Sequence, residues 1–196
     1  YLLPILLLAL VFTSCEETKE VSRYDNWQAR NEAFIDSLYN VYTTEADHGG
    51  LDSIHLMSAP DACIFYKELK PITNDPKLNP NPTNQDMQPF YTDSVYMYYK
   101  GTLIIGDRFD GFKGANPTAF DSPKKLKVTG VITGWNEMLQ RMKVGERRLV
   151  YIPWNYGYGS SGSGSILGYS TLIFDMQLYS IENRSSNSLS TLAVEE

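Results

Sequence analysis

A set of aromatic residues between positions 95 and 175, several of them next to glycines, could form a binding site. This region offers no nucleophile–base pair, no carboxylate pair at helical spacing and no metal-binding cluster. Such a set suits a pocket for an apolar ring and a reaction that needs neither a general acid nor a general base. The candidate residues are Tyr99, Phe109, Asp110, Val131, Ile132, Trp135, Tyr158 and Phe174.

Other kinds of site are not supported by the residues present. The glycine-rich segment 156–164 lacks the Gly-Lys-Ser/Thr sequence of a phosphate-binding loop. His48 and His55 precede the aromatic region and have no neighbouring cluster that would complete a metal site. Cys15 and Cys63 are the only cysteines, so the paired Cys/His spacing of a zinc site is absent. We therefore expect neither a metal nor a cofactor.

The composition predicts one globular domain with an appendage. The chain has 196 residues, of which 42% are hydrophobic, enough for a substantial core. Its formal net charge of −6 and its pI near 5.0 argue against a nucleic-acid partner, which would require a basic surface.

The N-terminal segment resembles a bacterial lipoprotein signal. Residues 2–12 are almost entirely apolar, and about 11 helical residues span only ~16 Å, half the hydrocarbon core of a bilayer. Thr13 and Ser14 then precede Cys15, as in a lipobox, in which the cysteine is diacylated and becomes the first mature residue. Two acyl chains suffice for stable anchoring. An ordinary cleaved signal is the alternative, and because neither Met nor a basic region precedes the apolar run, we expect the sequence to begin inside a longer signal.

The next segment predicts an amphipathic helix that begins near Asp25 and ends at Gly49-Gly50. Asp25 and Gln28 have the spacing of a capping box. Apolar residues then recur on one helical face over about five turns. We expect this face to dock on the domain's own surface, with pairing against a second copy as the alternative. The face consists of Trp27, Phe34, Leu38, Val41 and Tyr42.

The remaining pattern predicts an antiparallel sheet wrapped around one short helix, an α+β fold with an N-terminal helical extension. Strands are expected at 61–69, 92–100, 147–153 and 171–181, and a helix at 133–142 with Thr133 as its N-cap. The Pro- and Asn-rich segment 71–89 predicts a long loop. Because strands do not alternate with helices, a doubly wound parallel sheet is excluded.

These elements divide the chain into four expected parts. They are a signal segment at 1–15, a tether and helical extension at 16–60, the main domain at 61–183 and a flexible tail at 184–196.

Six blocks in the main domain resemble, in order and spacing, the FK506-binding-protein (FKBP) type of peptidyl-prolyl isomerase. The resemblance extends from residue 61 to about residue 182. The blocks are VYMYYKGTL at 95–103, GDRFD at 106–110, VITGW at 131–135, MKVGERR at 142–148, YGYG at 156–159 and TLIFD at 171–175.

The resemblance implies a role for each matched residue in rotation about X–Pro bonds. Trp135 would form the floor under a proline ring. The Ile132 N–H and the Tyr158 hydroxyl would hold substrate carbonyls, and Asp110 would line the polar side. Ile166 matches an apolar residue of an overhanging loop. The walls would be Tyr99, Phe109, Val131, Ile132 and Phe174. The alternative is that these aromatic residues only form a core.

Two segments depart from the family pattern. The family often has a second aromatic wall in a Pro-Phe-x-Phe segment, where this chain has Thr118 within 116–120. The overhanging loop often ends in Ile-Pro-Pro, where this chain has Ile166-Leu-Gly168 after the Gly/Ser-rich stretch 160–165. We expect these changes to weaken catalysis or to alter which residue before proline is preferred.

The leading hypothesis is a lipid-anchored peptidyl-prolyl isomerase of the bacterial cell envelope, on the periplasmic side or at the cell surface. Its partners would be proline-containing unfolded or partly folded proteins, and FK506-type macrolides would bind weakly. A non-catalytic FKBP-like module that holds peptides or acts as a chaperone is the second hypothesis. A purely structural envelope lipoprotein is the third, and it leaves the aromatic set unexplained.

Overall fold

The computed structural model describes residues 22–72 and 86–182. The predicted lipidation at Cys15, most of the loop predicted at 71–89 and the tail lie outside the described residues. Of the helices described, none is long and apolar enough to cross a membrane.

An antiparallel sheet forms the centre of the fold, as predicted. Across the described ranges it has seven strands in the order β1-β2-β6-β7-β3-β4, and β5 also pairs with β3. The strands are β1 (Asp52–Leu56), β2 (Ala59–Leu69), β3 (Ser94–Leu103), β4 (Arg108–Gly111), β5 (Lys124–Lys127), β6 (Arg147–Ile152) and β7 (Leu172–Ile181).

The short helix α2 (Thr133–Leu139) packs on one face of the sheet and forms the main core with it. Trp135, Met138, Leu139 and Met142 are all buried there, as their spacing predicts. Strand residues that alternate along β3, β6 and β7 complete this core, among them Met97. Alternation places their side chains on the same face of the sheet.

The long helix α1 (Trp27–Thr44) docks on the chain's own sheet, which confirms that prediction. Its apolar face packs against a second buried cluster formed by Leu51, Phe65 and Tyr151, while Trp27 reaches the main core. The face residues in this second cluster are Phe34, Leu38, Val41 and Tyr42. Pairing of α1 with a second copy stays a prediction.

Docking of α1 explains why β2 shows little amphipathic alternation. Ile64 faces the main core and is fully buried, while its neighbour Phe65 is 1% exposed under α1. A strand covered on both faces has apolar residues at successive positions. Strand β1, which the sequence does not indicate, pairs with β2 at the edge of the sheet, so the sheet begins before the domain boundary expected at residue 61.

Buried hydrogen bonds hold the first turn of α1 against the start of β7. The Trp27 indole N–H donates to the Ser170 hydroxyl at 3.0 Å. The Asn31 side chain accepts the backbone N–H of Thr171 at 2.7 Å and donates to the Trp27 carbonyl at 2.7 Å. Asn31 is completely buried, so these bonds replace its contacts with water and fix the helix on the sheet.

The predicted helix caps are wrong. Asn26 is the N-cap of α1 in a left-handed conformation without a side-chain cap, and Asp25 instead accepts the N–H of Ser22. Ile132, not Thr133, is the N-cap of α2. The end of α1 also differs, because the helix stops at Thr44 and residues 47–50 continue in left-handed turns.

Candidate functional site

One cavity of about 200 Å³ brings the aromatic candidates together. Strand β3 supplies Tyr99, β4 supplies Phe109 and Asp110, and β7 supplies Phe174. Val131 and Ile132 lead into α2, which supplies Trp135, and Tyr158 lies in the loop after β6. Elements far apart in sequence therefore converge because Trp135 of α2 packs on Tyr99 and Phe174, which lie on the paired strands β3 and β7. The full lining is Tyr99, Phe109, Asp110, Leu126, Gly130, Val131, Ile132, Trp135, Tyr158 and Phe174.

The aromatic rings of the cavity pack edge to face around Trp135. Its ring centroid lies 4.9 Å from that of Tyr99 and 4.9 Å from that of Phe174, at interplanar angles of 90° and 84°. Phe109 meets Phe174 at 5.5 Å and 89°. This is the favoured geometry of aromatic pairs, so the apolar surface is preformed.

A glycine of β3 lets two of these rings approach the strand. A Cβ atom at Gly101 would lie 2.5 Å from the Phe109 ring and 2.8 Å from the Phe174 ring. The site therefore depends on a position without a side chain as well as on its aromatic residues.

The polar side of the cavity is a hydrogen-bonded group of Tyr99, Asp110 and Lys124. The Tyr99 hydroxyl donates to Asp110 Oδ2 at 2.5 Å. Lys124 Nζ donates to Asp110 Oδ1 and to the Tyr99 hydroxyl oxygen, both at 3.1 Å. The Gly111 backbone N–H also donates to Asp110 Oδ1 at 2.7 Å. Both carboxylate oxygens of Asp110 thus accept hydrogen bonds, which hold the carboxylate in one orientation.

This network fixes the charge state of the group near neutral pH. Burial raises the pKa of Asp110, but the hydrogen bonds from Tyr99, Gly111 and Lys124 outweigh it and hold the pKa below its ordinary value. Burial and the bond to Asp110 raise the pKa of Tyr99, and the bonds to Tyr99 and Asp110 raise that of Lys124. A neutral phenol, a carboxylate and an ammonium group therefore coexist.

Two groups remain that could hold substrate carbonyls. Burial, followed by the charge of Asp110, raises the pKa of Tyr158, so its hydroxyl stays protonated and can donate. Ile132 precedes the first turn of α2, and its carbonyl accepts the N–H groups of Trp135 and Asn136 at 3.0 Å each. The first N–H groups of a helix have no intrahelical acceptor, so the Ile132 N–H is not used by α2.

Comparison with known proteins identifies the family. The profile of the FKBP-type peptidyl-prolyl cis-trans isomerases matches residues 85–179. FK506-binding protein 2 of Aspergillus fumigatus is 46% identical over 99 residues, which make up 50% of this chain and 71% of that protein. The chain belongs to the FKBP-type peptidyl-prolyl cis-trans isomerases. Its cavity is thus the cavity of an FKBP-type domain.

Bacterial proteins also resemble this FKBP-type chain, in sequence over about half of its length and in structure over about four fifths. FkpA of Escherichia coli K12 is 37% identical over 91 residues, 46% of this chain and 32% of FkpA. The crystal structure of E. coli FkpA superimposes with a TM-score of 0.57 and 26% identity, covering 80% of this chain and 62% of that one. The crystal structure of a peptidyl-prolyl cis-trans isomerase from Pseudomonas syringae pv. tomato shares the fold. It superimposes with a TM-score of 0.55 and 22% identity, covering 82% of this chain and 97% of that one.

Two residues predicted for the FKBP-type site do not line the cavity. Ile166 is 8% exposed and packs into the main core. Thr118 closes a turn in which its N–H and hydroxyl both donate to Asp121 Oδ2, at 2.7 and 2.8 Å. The neighbouring Phe120 is 98% exposed. The structure therefore leaves the cavity without these two expected contacts.

Three further residues belong to the FKBP-type site, and the sequence pattern does not indicate them. Leu126 and Gly130 line the cavity, and Lys124 binds Asp110. Lys124 and Leu126 lie on the same face of β5, two residues apart. The only signal is one apolar residue among three lysines, too little to indicate a four-residue strand.

Within residues 22–72 and 86–182, no group of three or more His, Cys, Asp or Glu residues that could hold a metal ion occurs. His55 Nδ1 lies 3.0 Å from the Pro60 carbonyl oxygen, away from the cavity lining.

Proposed function

We propose that this cavity catalyses cis–trans rotation of X–Pro bonds in proteins that fold or assemble in a cell envelope. One observation carries the proposal: all seven residues expected to be catalytic line a single cavity. They are Tyr99, Phe109, Asp110, Ile132, Trp135, Tyr158 and Phe174. Membership of the FKBP-type family supports the same reaction.

The proposed mechanism needs binding groups but no acid or base. Amide resonance sets a barrier of roughly 18–20 kcal/mol, and this resonance is lost in the twisted transition state. An apolar surface over Trp135 holds the proline ring and favours the less polar twisted amide. The Ile132 N–H and the Tyr158 hydroxyl hold the flanking carbonyls. Each tenfold acceleration requires about 1.4 kcal/mol of preference for the transition state.

Replacement of the floor residue tests the proposal. We expect Trp135→Leu to lower kcat/KM in a protease-coupled assay on an X–Pro peptide by more than about tenfold. The substrate's proline ring loses its largest contact surface in this variant. Trp154→Leu is the matched control, because Trp154 is a half-buried tryptophan outside the cavity lining. Circular dichroism checks that both variants fold. A folded Trp135→Leu variant with full activity would sink the site assignment.

A non-catalytic FKBP-like module that holds unfolded segments is the second candidate. The positions of Thr118 and Ile166 favour it, because the cavity lacks the two contacts expected from them. Protection of a client from aggregation without any change in its isomerisation rate would select this candidate.

We also propose that an FK506-type macrolide binds the cavity with its pipecolyl ring over Trp135 and a carbonyl on the Ile132 N–H. Thr118 supplies no aromatic wall, and burial of a Phe side chain contributes about 1.5–3 kcal/mol. Binding is therefore expected to be about ten- to a hundredfold weaker than in a domain with Phe there. Titration of the wild type and Thr118→Phe by calorimetry tests this. Absence of binding by both at high micromolar concentration would mean that the cavity is misassigned.

For location, we propose a lipid anchor at Cys15 on a membrane of the bacterial cell envelope. The apolar run that ends in Thr13-Ser14-Cys15 supports this proposal. Cys15→Ala expressed from a full-length precursor should move the chain out of the detergent phase or leave it uncleaved. Unchanged detergent partitioning would count against the lipobox.

A further inference from the structure

A second and larger cavity, of about 310 Å³, lies between α1 and the sheet. Its helix side is the face of α1 next to the docked apolar face, including Ile35 and Tyr39. Its other side is formed by β2 around Ala62 and by the turn 153–156. We call this cavity the helix groove. It shares no lining residue with the catalytic cavity.

The helix groove is held open by fixed elements on both sides. Trp27 and Asn31 tie the first turn of α1 to residues 170 and 171. Beyond the groove, Lys67 Nζ donates to the Gly49 carbonyl at 3.1 Å. Trp154 is supported by an edge-to-face contact with Tyr169, with centroids 4.9 Å apart. The groove is therefore preformed.

The lining of the helix groove combines aromatic surface with negative charge. Glu32 and Asp36 are exposed, lie one helical turn apart on α1 and line the groove. Tyr39, at 59% exposure, and Trp154 supply ring faces, and Ile35 is a half-buried apolar contact. None of the lining residues is Lys, Arg or His. Lysine and arginine side chains suit such a surface, since their stems pack on apolar groups and their cations bind carboxylates and ring faces.

We propose that the helix groove binds an extended, positively charged segment of a client protein, in which Lys or Arg alternates with apolar residues. The turn 154–156 that forms one wall of the groove continues directly to Tyr158, and the Gly159 N–H donates to the Trp154 carbonyl at 2.8 Å. A client bound in the helix groove would therefore contact the same chain segment that places Tyr158 in the catalytic cavity. The proposal goes beyond isomerisation, because it assigns a second site with its own ligand class.

Peptide binding tests the charge complementarity. The probe is a fluorescein-labelled, proline-free peptide of alternating Lys and Leu, measured by anisotropy at low salt, with a Gln-for-Lys peptide as comparison. We expect the Lys peptide to bind at least about tenfold more tightly than the Gln peptide, and Glu32→Gln/Asp36→Asn to remove about tenfold of its affinity. The matched control, Glu45→Gln/Glu68→Gln, changes the net charge equally at exposed positions outside the groove. Equal losses in the two double variants, or equal binding of the two peptides, would overturn the proposal.

Alkylation of Cys63, which lines the helix groove, reports where the peptide binds. Because burial raises the pKa of this thiol, the reaction is run at alkaline pH and followed by mass spectrometry of the peptide that contains Cys63. The Lys peptide should slow alkylation several-fold in the wild type, and unchanged alkylation at saturation would overturn the proposal.

Two further measurements separate this proposal from the others. Glu32→Gln/Asp36→Asn should leave turnover of a short X–Pro peptide unchanged, whereas Trp135→Leu should lower turnover by more than about tenfold and retain binding of the Lys peptide. Light scattering tests a second copy as the occupant, and self-association that disappears in Glu32→Gln/Asp36→Asn would assign the groove to a dimer and overturn the proposal.

Discussion

At the scale of single residues, Lys124 links the sheet to the polar side of the catalytic cavity. Lys124→Met removes the donor to Asp110 and Tyr99. We expect kcat/KM to fall about three- to tenfold, because Asp110 and the Tyr99 hydroxyl each lose one of the hydrogen bonds that orient them. Lys124→Arg should restore most of the activity. Lys125→Met is the control, since Lys125 pairs with Glu182 at 2.5 Å and does not line the cavity. Equal losses in the two Met variants would contradict this role.

The same group predicts how activity and stability depend on pH. Asp110 has a lowered pKa, and Tyr99, Tyr158 and Lys124 have raised ones. None of them should titrate between about pH 5 and pH 9, so kcat/KM should be constant there in an assay without a coupling protease.

Asp110 and Lys124 contribute to the free energy of unfolding with opposite dependence on pH. The contribution of Asp110 is complete above its ordinary pKa of about 4 and is lost as the pH falls through the lowered folded value. That of Lys124 is complete below about 10.4 and is lost as the pH rises through the raised folded value. Denaturant unfolding measured from acid to alkaline pH gives both contributions.

For activity, a bell-shaped dependence of kcat/KM on pH, centred near pH 7, would show that another group controls the rate.

At the scale of elements, α1 depends on one buried amide. Asn31→Ala would leave the Thr171 N–H without its acceptor, while the bond from the Thr171 hydroxyl to the backbone carbonyl of residue 31 would remain. The expected loss in the free energy of unfolding is about 1–3 kcal/mol. Asn40→Ala, at an exposed position of the same helix, should change it by less than about 0.5 kcal/mol. Urea unfolding of the two variants gives the comparison, and similar values would mean that α1 contributes little to the fold.

The elements that the sequence predicts are those with several apolar residues in a regular pattern. Strand β3 and helices α1 and α2 have such patterns, and the structure contains them close to the expected positions. Strands β1 and β5 have only five and four residues, with two buried positions in β1 and none in β5, so local pattern does not indicate them. The cap predictions are wrong because the Asp25 carboxylate accepts a local N–H, that of Ser22, instead of one from α1, and because α2 begins after Ile132 without a side-chain cap.

The candidate site was more predictable than its surroundings. Eight of the residues that line the cavity come from motifs with strong aromatic or glycine content, and no local feature marks Lys124. Thr118 was assigned by its place in the Pro-Thr-Ala-Phe segment, yet its hydroxyl binds Asp121 and holds it in a turn. Sequence order locates a residue along the chain, whereas a side-chain hydrogen bond decides where the residue points.

At the scale of the whole molecule, α1 and the sheet share their cores. Trp27 belongs to the main core together with Trp135, and Phe34 packs on Tyr151. We expect thermal unfolding followed by far-ultraviolet circular dichroism and by tryptophan fluorescence to give coincident transitions, as for one cooperative unit. A helical transition at lower temperature than the fluorescence transition would show that α1 unfolds separately.

The residues that hold α1 in place are synthesised long after α1 itself. The hydrogen-bond partners of Trp27 and Asn31 lie 143 and 140 residues later in the chain. At about 5–20 residues per second, the ribosome needs roughly 7–28 s to make them. During that interval the Trp27 indole and the Asn31 side chain lack the partners at residues 170 and 171 that hold α1 in the folded chain. The last strand then completes two structures at once, because β7 carries Phe174 into the catalytic cavity and follows directly on the residues that receive α1. A nascent chain that ends before residue 170 therefore lacks both the residues that hold α1 and a complete catalytic cavity.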